Sequence, residues 1–526
     1  MYITFSSIWL AAGAAITYHI VSRVFAKLRN HAEKVRRGCQ DLPYKHSIWP
    51  FGIGEIQRIL KADAEKRFPD DMVERFDEVG PDTHTYEYSM FGTNVVFTRD
   101  PKNIQAMLAT QFRDYWMGGT RQKAFDPLLG QSILTSDGKI WEHSRALMRP
   151  TFARDLISNL EIEERHVQHF LQHLPVDQYG WTEGKDLMPI LHQYTLDSST
   201  EFIFGQSVGS QTGALPGRVL ENNGQLFQGP ELAYLFEEIQ RITAKRVRLG
   251  KGYWLVDGMD YRSKLRKMHD YVDHLVKAAL ENSSRARDTE DKASDKKGYF
   301  FLKEMVERVR DPVELRNHSL SLLIAGRDTS ATLLSWIFYH LVRNQRIFDK
   351  LRCTVVDSFG TFDDSRDITF STLKSCQFLQ QVISEALRHV TIVPYNLREA
   401  RVDTTLPRGG GPDGMSPVFI PKGQQIDFST HAMHRRKDLW GEDADIFRPE
   451  RFEGRKSGWD FLRFGGGPRV CIGQQFALTT TSYVLVRLLQ RFDKIENLEP
   501  EGPIVHDMSF INKPVSVFVK LHEAIG

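Results

Sequence analysis

Cys471 stands where a thiol can do chemistry. It belongs to the run Phe464-Gly465-Gly466-Gly467-Pro468-Arg469-Val470-Cys471-Ile472-Gly473, a glycine-rich turn with a basic residue two positions before the cysteine. An amphipathic stretch, Gln474 to Leu489, follows at once and is expected to be a helix. A cysteine entering a helix N-terminus is drawn toward the thiolate by the macrodipole and by backbone N–H groups without helical partners. Such a thiolate suits two jobs, a nucleophile or the one protein ligand of a metal with an open position. Spacing alone leaves both open.

A second constellation lies in a long apolar stretch opened by Asp311, Pro312 and Glu314, which read as N-cap, first helical residue and the acid of a capping box. Inside it runs Ala325-Gly326-Arg327-Asp328-Thr329-Ser330. An acid followed by a hydroxyl in an apolar helix costs free energy unless it is used. Gly326 leaves room for a flat ligand, Thr329 can hydrogen-bond a bound oxygen species, and Asp328 can supply a proton. The plainer alternative is a hydroxyl bonded back onto a helix carbonyl, with Asp328 at the surface. Glu385 and Arg388 fall three apart on one helical face. Alone they would be a surface pair worth only about 0.3 kcal/mol. Arg451, in Phe447-Arg448-Pro449-Glu450-Arg451-Phe452, supplies a second arginine.

These residues need a large scaffold, and 526 residues can build one with a deep core. Apolar residues make up 41% and charged residues 26%, and the net charge of +2 gives no global electrostatic argument for nucleic acid. Cys39, Cys353, Cys376 and Cys471 are scattered, without disulfide-framework density or paired metal spacing. That usage fits a reducing compartment, with Cys353 and Cys376 as buried or helix-surface thiols.

The N-terminus differs from the rest. Ile3 to Val21 is mostly apolar, and as a helix its 19 residues span about 28 Å, enough for a bilayer core. Arg23, Lys27, Arg29, Lys34, Arg36 and Arg37 follow this stretch and no basic residue precedes it. The order predicts an uncleaved anchor (residues 1–22) with a cytosolic body, against the alternative of a signal peptide processed near Ala11–Ala15. Residues 23–54 read as a basic, then Pro/Gly-rich hinge, and 55–526 as the body. Sequons at Asn282 and Asn317 would report the topology.

Within the body, Tyr86 to Thr98 predicts a β-hairpin turning at Phe91-Gly92-Thr93-Asn94. Most windows from Pro101 to Leu387 read helical, except Glu281 to Lys297, which lacks an apolar face and is expected to be a mobile loop. Arg401 to Gly423 holds short strand-like pieces. Gly52-Ile53-Gly54 lacks the third glycine and preceding strand of a dinucleotide fingerprint. The expected fold class is mainly α with a small β-rich part, preceded by one transmembrane helix.

Four motifs then occur in order over about Pro43 to Leu521: Trp141-x-x-x-Arg145, Ala325-Gly326-x-Asp328-Thr329, Glu385-x-x-Arg388 with Arg451, and Phe464-x-x-Gly467-x-Arg469-x-Cys471-x-Gly473. Together they resemble the cytochrome P450 family. The resemblance implies the cytochrome P450 fold and heme b, with Cys471 as proximal iron ligand. It implies a cofactor cradle shaped by Gly326, Phe464, Gly467 and Gly473. Basic partners for the heme propionates would be Arg145, Arg469 and Arg398, with Trp141 beside them. Asp328 and Thr329 would deliver protons for O–O cleavage, which an axial thiolate also favours. Glu385, Arg388 and Arg451 would form a buried structural network.

The reaction so implied inserts one oxygen atom of O2 into a C–H bond. Electrons would come from NADPH through a separate NADPH–cytochrome P450 reductase, since no flavin or nicotinamide domain follows in the 526 residues. The expected setting is the endoplasmic reticulum membrane, single-pass, with a lipid bilayer and a hydrophobic small molecule as further partners and no nucleic acid.

Finer detail resembles the fungal n-alkane and fatty-acid hydroxylases: Ala325 to Thr329, Thr195 to Gly205, Thr404 to Pro407 followed by Gly409 to Gly414, and the cysteine loop running into Gln474-Gln475-Phe476-Ala477. This implies an aliphatic substrate hydroxylated at or near its end. The alternative keeps the chemistry and changes the substrate to a fungal secondary metabolite. The stretches expected to line the pocket, Phe112–Leu129 and Leu220–Val256, are apolar enough for either. Intact Asp328-Thr329 argues against a heme carrier and against an oxygen-independent isomerase or dehydratase. Ala325 stands where some ω-hydroxylases have the glutamate that esterifies heme, so that link cannot form here.

Overall fold

The computed structural model describes residues 5–152, 160–215, 229–288, 300–456 and 458–525. Its principal helices are α1 (Phe5–Arg36), α2 (Gly119–Leu129), α3 (Gly138–Met148), α4 (Glu161–Leu171), α5 (Leu187–Phe204), α6 (Gly229–Arg248), α7 (Met259–Asp288), α8 (Pro312–Arg343), α9 (Gln377–His389) and α10 (Gln474–Arg491). The chain divides into two compact units, each assembled from separated stretches.

The first unit comprises Met1–Leu60, Met72–Trp116 and Tyr395–Ser429. Its strands are β1 (Tyr44–Lys45), β2 (Thr85–Met90), β3 (Thr93–Thr98), β4 (Tyr115–Trp116), β6 (Tyr395–Ala400), β7 (Thr404–Gly410), β8 (Ser416–Ile420) and β9 (Gln425–Ser429). Six of them form one mixed sheet in the order β1-β2-β3-β9-β6-β4, while β7 and β8 pair as a separate hairpin. The expected β2–β3 hairpin forms with a tighter turn than the sequence suggested. Met90 pairs directly with Thr93, so only Phe91 and Gly92 turn the chain, at φ +51° and +70°. Two left-handed residues in a row make the turn whose twist suits a hairpin. The basic half of α1 lies against this unit: Arg29 is 3.9 Å from the Asp403 carboxylate and Arg37 lies over the Phe419 ring.

Asp427 on β9 is buried among Tyr88, Gln425 and Arg75. It accepts hydrogen bonds from Gln425 Nε2 at 2.8 Å and Tyr88 Oη at 3.3 Å. Burial outweighs these bonds and the Arg75 charge, and pushes its carboxyl up to about 6. A raised carboxyl binds its proton more tightly in the folded chain, so its effect is most favourable below the unfolded value and is lost as pH rises through about 6. Between pH 5 and pH 8 this group should cost about 1.4 kcal/mol. Denaturant titration at both pH values should show that loss in the native chain and a smaller one in Asp427→Asn. Equal losses would exclude Asp427 as the source.

The second unit comprises Lys61–Asp71, Met117–Pro394 and Thr430–Gly526. Here β10 (Phe492–Asn497) and β13 (Phe518–Glu523) pair with β5 (Lys185–Asp186), and β11 (His506–Met508) pairs with β12 (Asn512–Pro514). Its main core is built from α8, α9 and α10, with Trp336, Leu334, Leu379, Ile383, Val484 and Leu485 each at most 1% exposed. Burying each such side chain is worth about 1.5–3 kcal/mol. This apolar packing explains why α8 tolerates its polar residues.

Several expectations change. Glu281 to Asp288 continues α7 as helix, because helical propensity and the preceding apolar face carry the element past the point where its own face becomes polar; residues 289–299 lie outside the described residues. The α8 N-cap is present, with the Val313 N–H bonded to Asp311 at 3.0 Å, but the reciprocal half of the capping box is absent. The Glu314 carboxylate turns to His143 at 3.1 Å and His318 at 3.4 Å. Leu220 and Phe227 of the expected pocket lining lie outside the described residues, as do the side chains of residues 1–12, 15 and 16. Among the described residues no helix is long and apolar enough to cross a membrane. Arg23 to Arg36, read as the start of a hinge, continue the same helix as the apolar stretch.

Candidate active site

The cysteine loop is shaped by its glycines. Gly465 and Gly467 sit at φ +74° and +67°, which a side chain would strain, and a Cβ on Gly466 would stand 2.7 Å from the Trp459 ring. The Cys471 N–H donates to the Phe464 carbonyl at 3.0 Å and closes the loop on itself. Gly473 is different, at φ −87° with ordinary space about it, and serves as the α10 N-cap residue. Beyond it Phe476 packs on Phe202, which packs on Phe152, with centroids 4.7 and 5.8 Å apart.

Cys471 is exposed by surface area, yet protein atoms surround it so densely that burial pushes its thiol up. The Gly473 N–H and the Arg145 charge pull the thiol down without prevailing. A metal bound here would deprotonate the thiol that coordinates it. Among the described residues no group of three or more His, Cys, Asp or Glu side chains could hold a metal ion, so Cys471 stands as a single soft donor.

α8 packs against α10. Along α8, Ile324, Ala325, Gly326 and Thr329 are half-buried, whereas Ser321, Leu323, Arg327, Asp328 and Ser330 are buried. The middle of α8 thus has one stretch that is only half-buried, centred on the small residues Ala325 and Gly326. Together with the cysteine donor, this stretch of small residues fits a flat, iron-bearing macrocycle. A Cβ on Gly326 would meet Ser199 Oγ at 3.3 Å, a tight contact that favours glycine.

Neither plain reading of the acid–alcohol pair holds entirely. Thr329 Oγ1 donates to the Ala325 carbonyl at 2.6 Å, as a solitary helical threonine would. Asp328 is not at the surface. It is buried and accepts from Arg327 Nη1 at 2.8 Å, while that guanidinium lies 5.0 Å from the Phe236 ring centroid and 3.7 Å from Glu237.

The two arginines near the cysteine differ in their partners. Arg469 donates to Asp137 Oδ1 at 2.6 Å and the Ser136 carbonyl at 2.7 Å, and lies 4.5 Å from the Trp141 ring centroid. Burial brings it down to about 10. Arg145 lies 5.8 Å from the same ring, and among the described residues no carboxylate pairs with it. Its guanidinium is also lowered by burial, with the Cys471 charge as the largest opposing influence. Arg145 is thus the cation available to an incoming carboxylate, whereas Arg469 already holds one. Asp137 was missed in the sequence. Its Asp-Gly turn before α3 marked a helix start, but nothing local pointed to Arg469. Arg398 lies on β6 in the first unit, with Nη1 2.7 Å from the Leu397 carbonyl.

Glu385, Arg388 and Arg451 meet around one carboxylate. Arg388 Nε and Nη2 each donate to the Glu385 carboxylate at 2.8 Å, and Arg451 Nε donates to it at 2.9 Å. The Arg448 N–H adds a fourth bond at 2.8 Å, and Arg388 Nη1 reaches the carbonyls of His434 and Ala444. Glu385 and Arg388 are wholly buried. His434 is structural too: the Leu462 N–H donates to its Nε2 at 3.0 Å.

The sequence pattern described as Cytochrome P450 matches residues 53–521. The chain is 45% identical over 508 residues to cytochrome P450 monooxygenase g430 of Fusarium sp, covering 96% of this chain and 88% of that protein. It is 43% identical to cytochrome P450 monooxygenase alt2 of Alternaria solani, covering 93% and 92%. With cytochrome P450 52A12 of Debaryomyces hansenii it shares 41% identity, again over 93% and 92%.

Proposed function

We propose that this chain, which belongs to the cytochrome P450 family and is a heme-thiolate monooxygenase, hydroxylates an n-alkane or fatty acid at or near the end of its chain. Heme b is the cofactor, electrons come from NADPH through a reductase, and the bound heme supplies the iron that activates O2. Cys471 would hold the heme iron, Arg145 would receive a propionate beside Trp141, and Arg469, paired with Asp137, would fix that edge of the site. Phe464, Gly467 and Gly473 form the loop beneath, and Gly326 keeps the distal helix clear. Asp328 and Thr329 handle protons. The single observation behind the oxygenase assignment is the soft donor Cys471 at the head of α10, which packs against α8, the helix that carries the buried acid Asp328 and the half-buried alcohol Thr329.

The alkyl substrate is supported by the branch motifs and by the likeness to cytochrome P450 52A12. A second reading, the same oxidation on a fungal secondary metabolite, is favoured by identity to the Fusarium and Alternaria monooxygenases no lower than that to the yeast protein. A spectral titration with fatty acids and alkanes of graded length separates the two. The alkyl reading expects a high-spin shift with an optimum length, and silence across the series would overturn it.

Thr329→Ala should uncouple the reaction. The hydroxyl that bonds the Ala325 carbonyl is the one that would hold a proton for the reaction, and losing it should cut product per NADPH by roughly a hundredfold, the low side of what a positioned proton donor contributes. Peroxide release should rise to match. Unchanged coupling would remove Thr329 from the mechanism.

The N-terminal segment is proposed as an anchor in the endoplasmic reticulum membrane with the body cytosolic, on the order of its apolar and basic residues. Asn317 is 7% exposed on α8, so glycosylation at exposed Asn282 is the usable topology report, and its presence would contradict a cytosolic body.

A further inference from the structure

We propose that Arg246 is a positioning residue for the oxidation, holding α2 and the Gly250–Val256 turn as fixed walls and thereby setting which carbon is attacked. Arg246 is 1% exposed at the end of α6. Its side chain grips three elements of the second unit. Nε donates to the Ala124 carbonyl at 2.8 Å and Nη2 to the Lys123 carbonyl at 3.0 Å, both on α2. Nη1 pairs with Asp257, directly after the Gly250–Val256 turn. The rings of Tyr253 and Tyr261 lie 5.0 and 5.7 Å from the guanidinium, so it is enclosed by that turn and by α7.

The bond to Lys123 has a particular cause. α2 contains Pro127, which has no N–H, so the carbonyl four residues earlier loses its helical donor. That carbonyl belongs to Lys123. Arg246 supplies the missing donor from another helix, so the proline break and the arginine act as one device. The far end of α2 is tied as well, since His269 on α7 bonds the Leu128 carbonyl at 3.2 Å. Gly130 there lies so close to α8 that a Cβ would stand 2.4 Å from the Asn317 amide. α2 is therefore held between the arginine and the helix that carries Gly326 and Thr329. α2 and α6 carry Phe125, Leu128, Leu232 and Phe236, from the stretches expected to line the pocket, and the last three are at most 2% exposed. A guanidinium with three fixed partners is not available to bind substrate, and its influence is on the walls.

The substrate part of this inference rests on the monooxygenase reading, and the wall itself is measured without substrate. Hydrogen exchange of the heme-loaded full chain should rise by about tenfold in residues 119–129 in Arg246→Met, the loss of roughly one net hydrogen bond. The thiolate Soret band should remain. Pro127→Ala restores an N–H opposite the Lys123 carbonyl, so it should suppress most of that rise in the Arg246→Met background while changing little in the native one. With whichever fatty acid gives the largest spin shift, Arg246→Met should spread hydroxylation over more positions with total turnover within about threefold of native, and Arg246→Lys should fall between. If Arg246→Met fails to load heme, Arg246→Lys, which keeps a cation for Asp257 but cannot span both carbonyls, carries the same readouts. Unchanged exchange in either variant, or equal effects of Pro127→Ala in both backgrounds, overturns the proposal. So does an unaltered product distribution. A chain that oxidises no fatty acid refutes the alkyl reading and leaves the exchange result to judge the wall.

Discussion

Cys471→Ser and Cys471→His should both abolish the thiolate Soret band of the reduced, CO-bound protein, and lower monooxygenase turnover by at least about a thousandfold, or ~4 kcal/mol. Burial pushes this thiol up, against the Gly473 N–H and the Arg145 charge. A bound metal would deprotonate it, and the thiolate would supply the electron density that favours O–O cleavage. Serine presents a harder and far more basic oxygen, and imidazole a neutral nitrogen. Either can leave heme bound, but neither can donate as sulfur does. The side chain is in an open-faced position in its loop, so far-UV circular dichroism should be unchanged. Persistence of the thiolate band in Cys471→Ser would remove Cys471 from the iron.

Glu385→Gln should be the most damaging single change away from the iron. The carboxylate accepts four bonds, from Arg388 twice, Arg451 and the Arg448 N–H, with no exposure at Glu385 or Arg388. Burial already depresses the Arg388 guanidinium, and Glu385 is the partner that offsets it. An amide in its place leaves the buried Arg388 without its carboxylate, while Arg451 keeps Asp443, and it cannot accept all four bonds. Removing one partner of a buried network costs about 3–5 kcal/mol, more than the pair is worth relative to an apolar replacement. Arg388 also holds the carbonyls of His434 and Ala444, and His434 in turn holds the Leu462 N–H just before the cysteine loop. The expected result is a fall in heme per chain and faster proteolysis within Ala444–Leu462. Heme loading equal to native would show that the network is dispensable to the loop.

Much of the site was legible because its parts are local. The Phe464 to Gly473 spacing specifies a loop that closes on itself, Glu385 and Arg388 share a helical face by the geometry of the helix, and Asp311-Pro312 starts α8 wherever α8 lies. The surroundings of the cysteine were not legible for a reason of the same kind: a helix terminus can be seen in the sequence, but desolvation depends on atoms supplied by distant segments. The loop at Glu281 was misjudged because composition reports what a stretch can bury, not how far a preceding helix runs.

By itself, then, the amino-acid order determined the chemistry: one soft ligand in a glycine loop, an acid–alcohol pair on a long helix, and a carboxylate with its arginines, all within turns of the backbone. Only the tertiary structure decided which of these groups are free to act. Arg469 is committed to Asp137, more than three hundred positions away, while Arg145 keeps its charge available. The Lys123 carbonyl, stranded by Pro127, finds its donor on Arg246. The β-rich unit is made by pairing strands such as β3 and β9 from opposite ends of the chain. Short spacings are dictated by covalent geometry, whereas partners across hundreds of residues are chosen by packing, which no local pattern records.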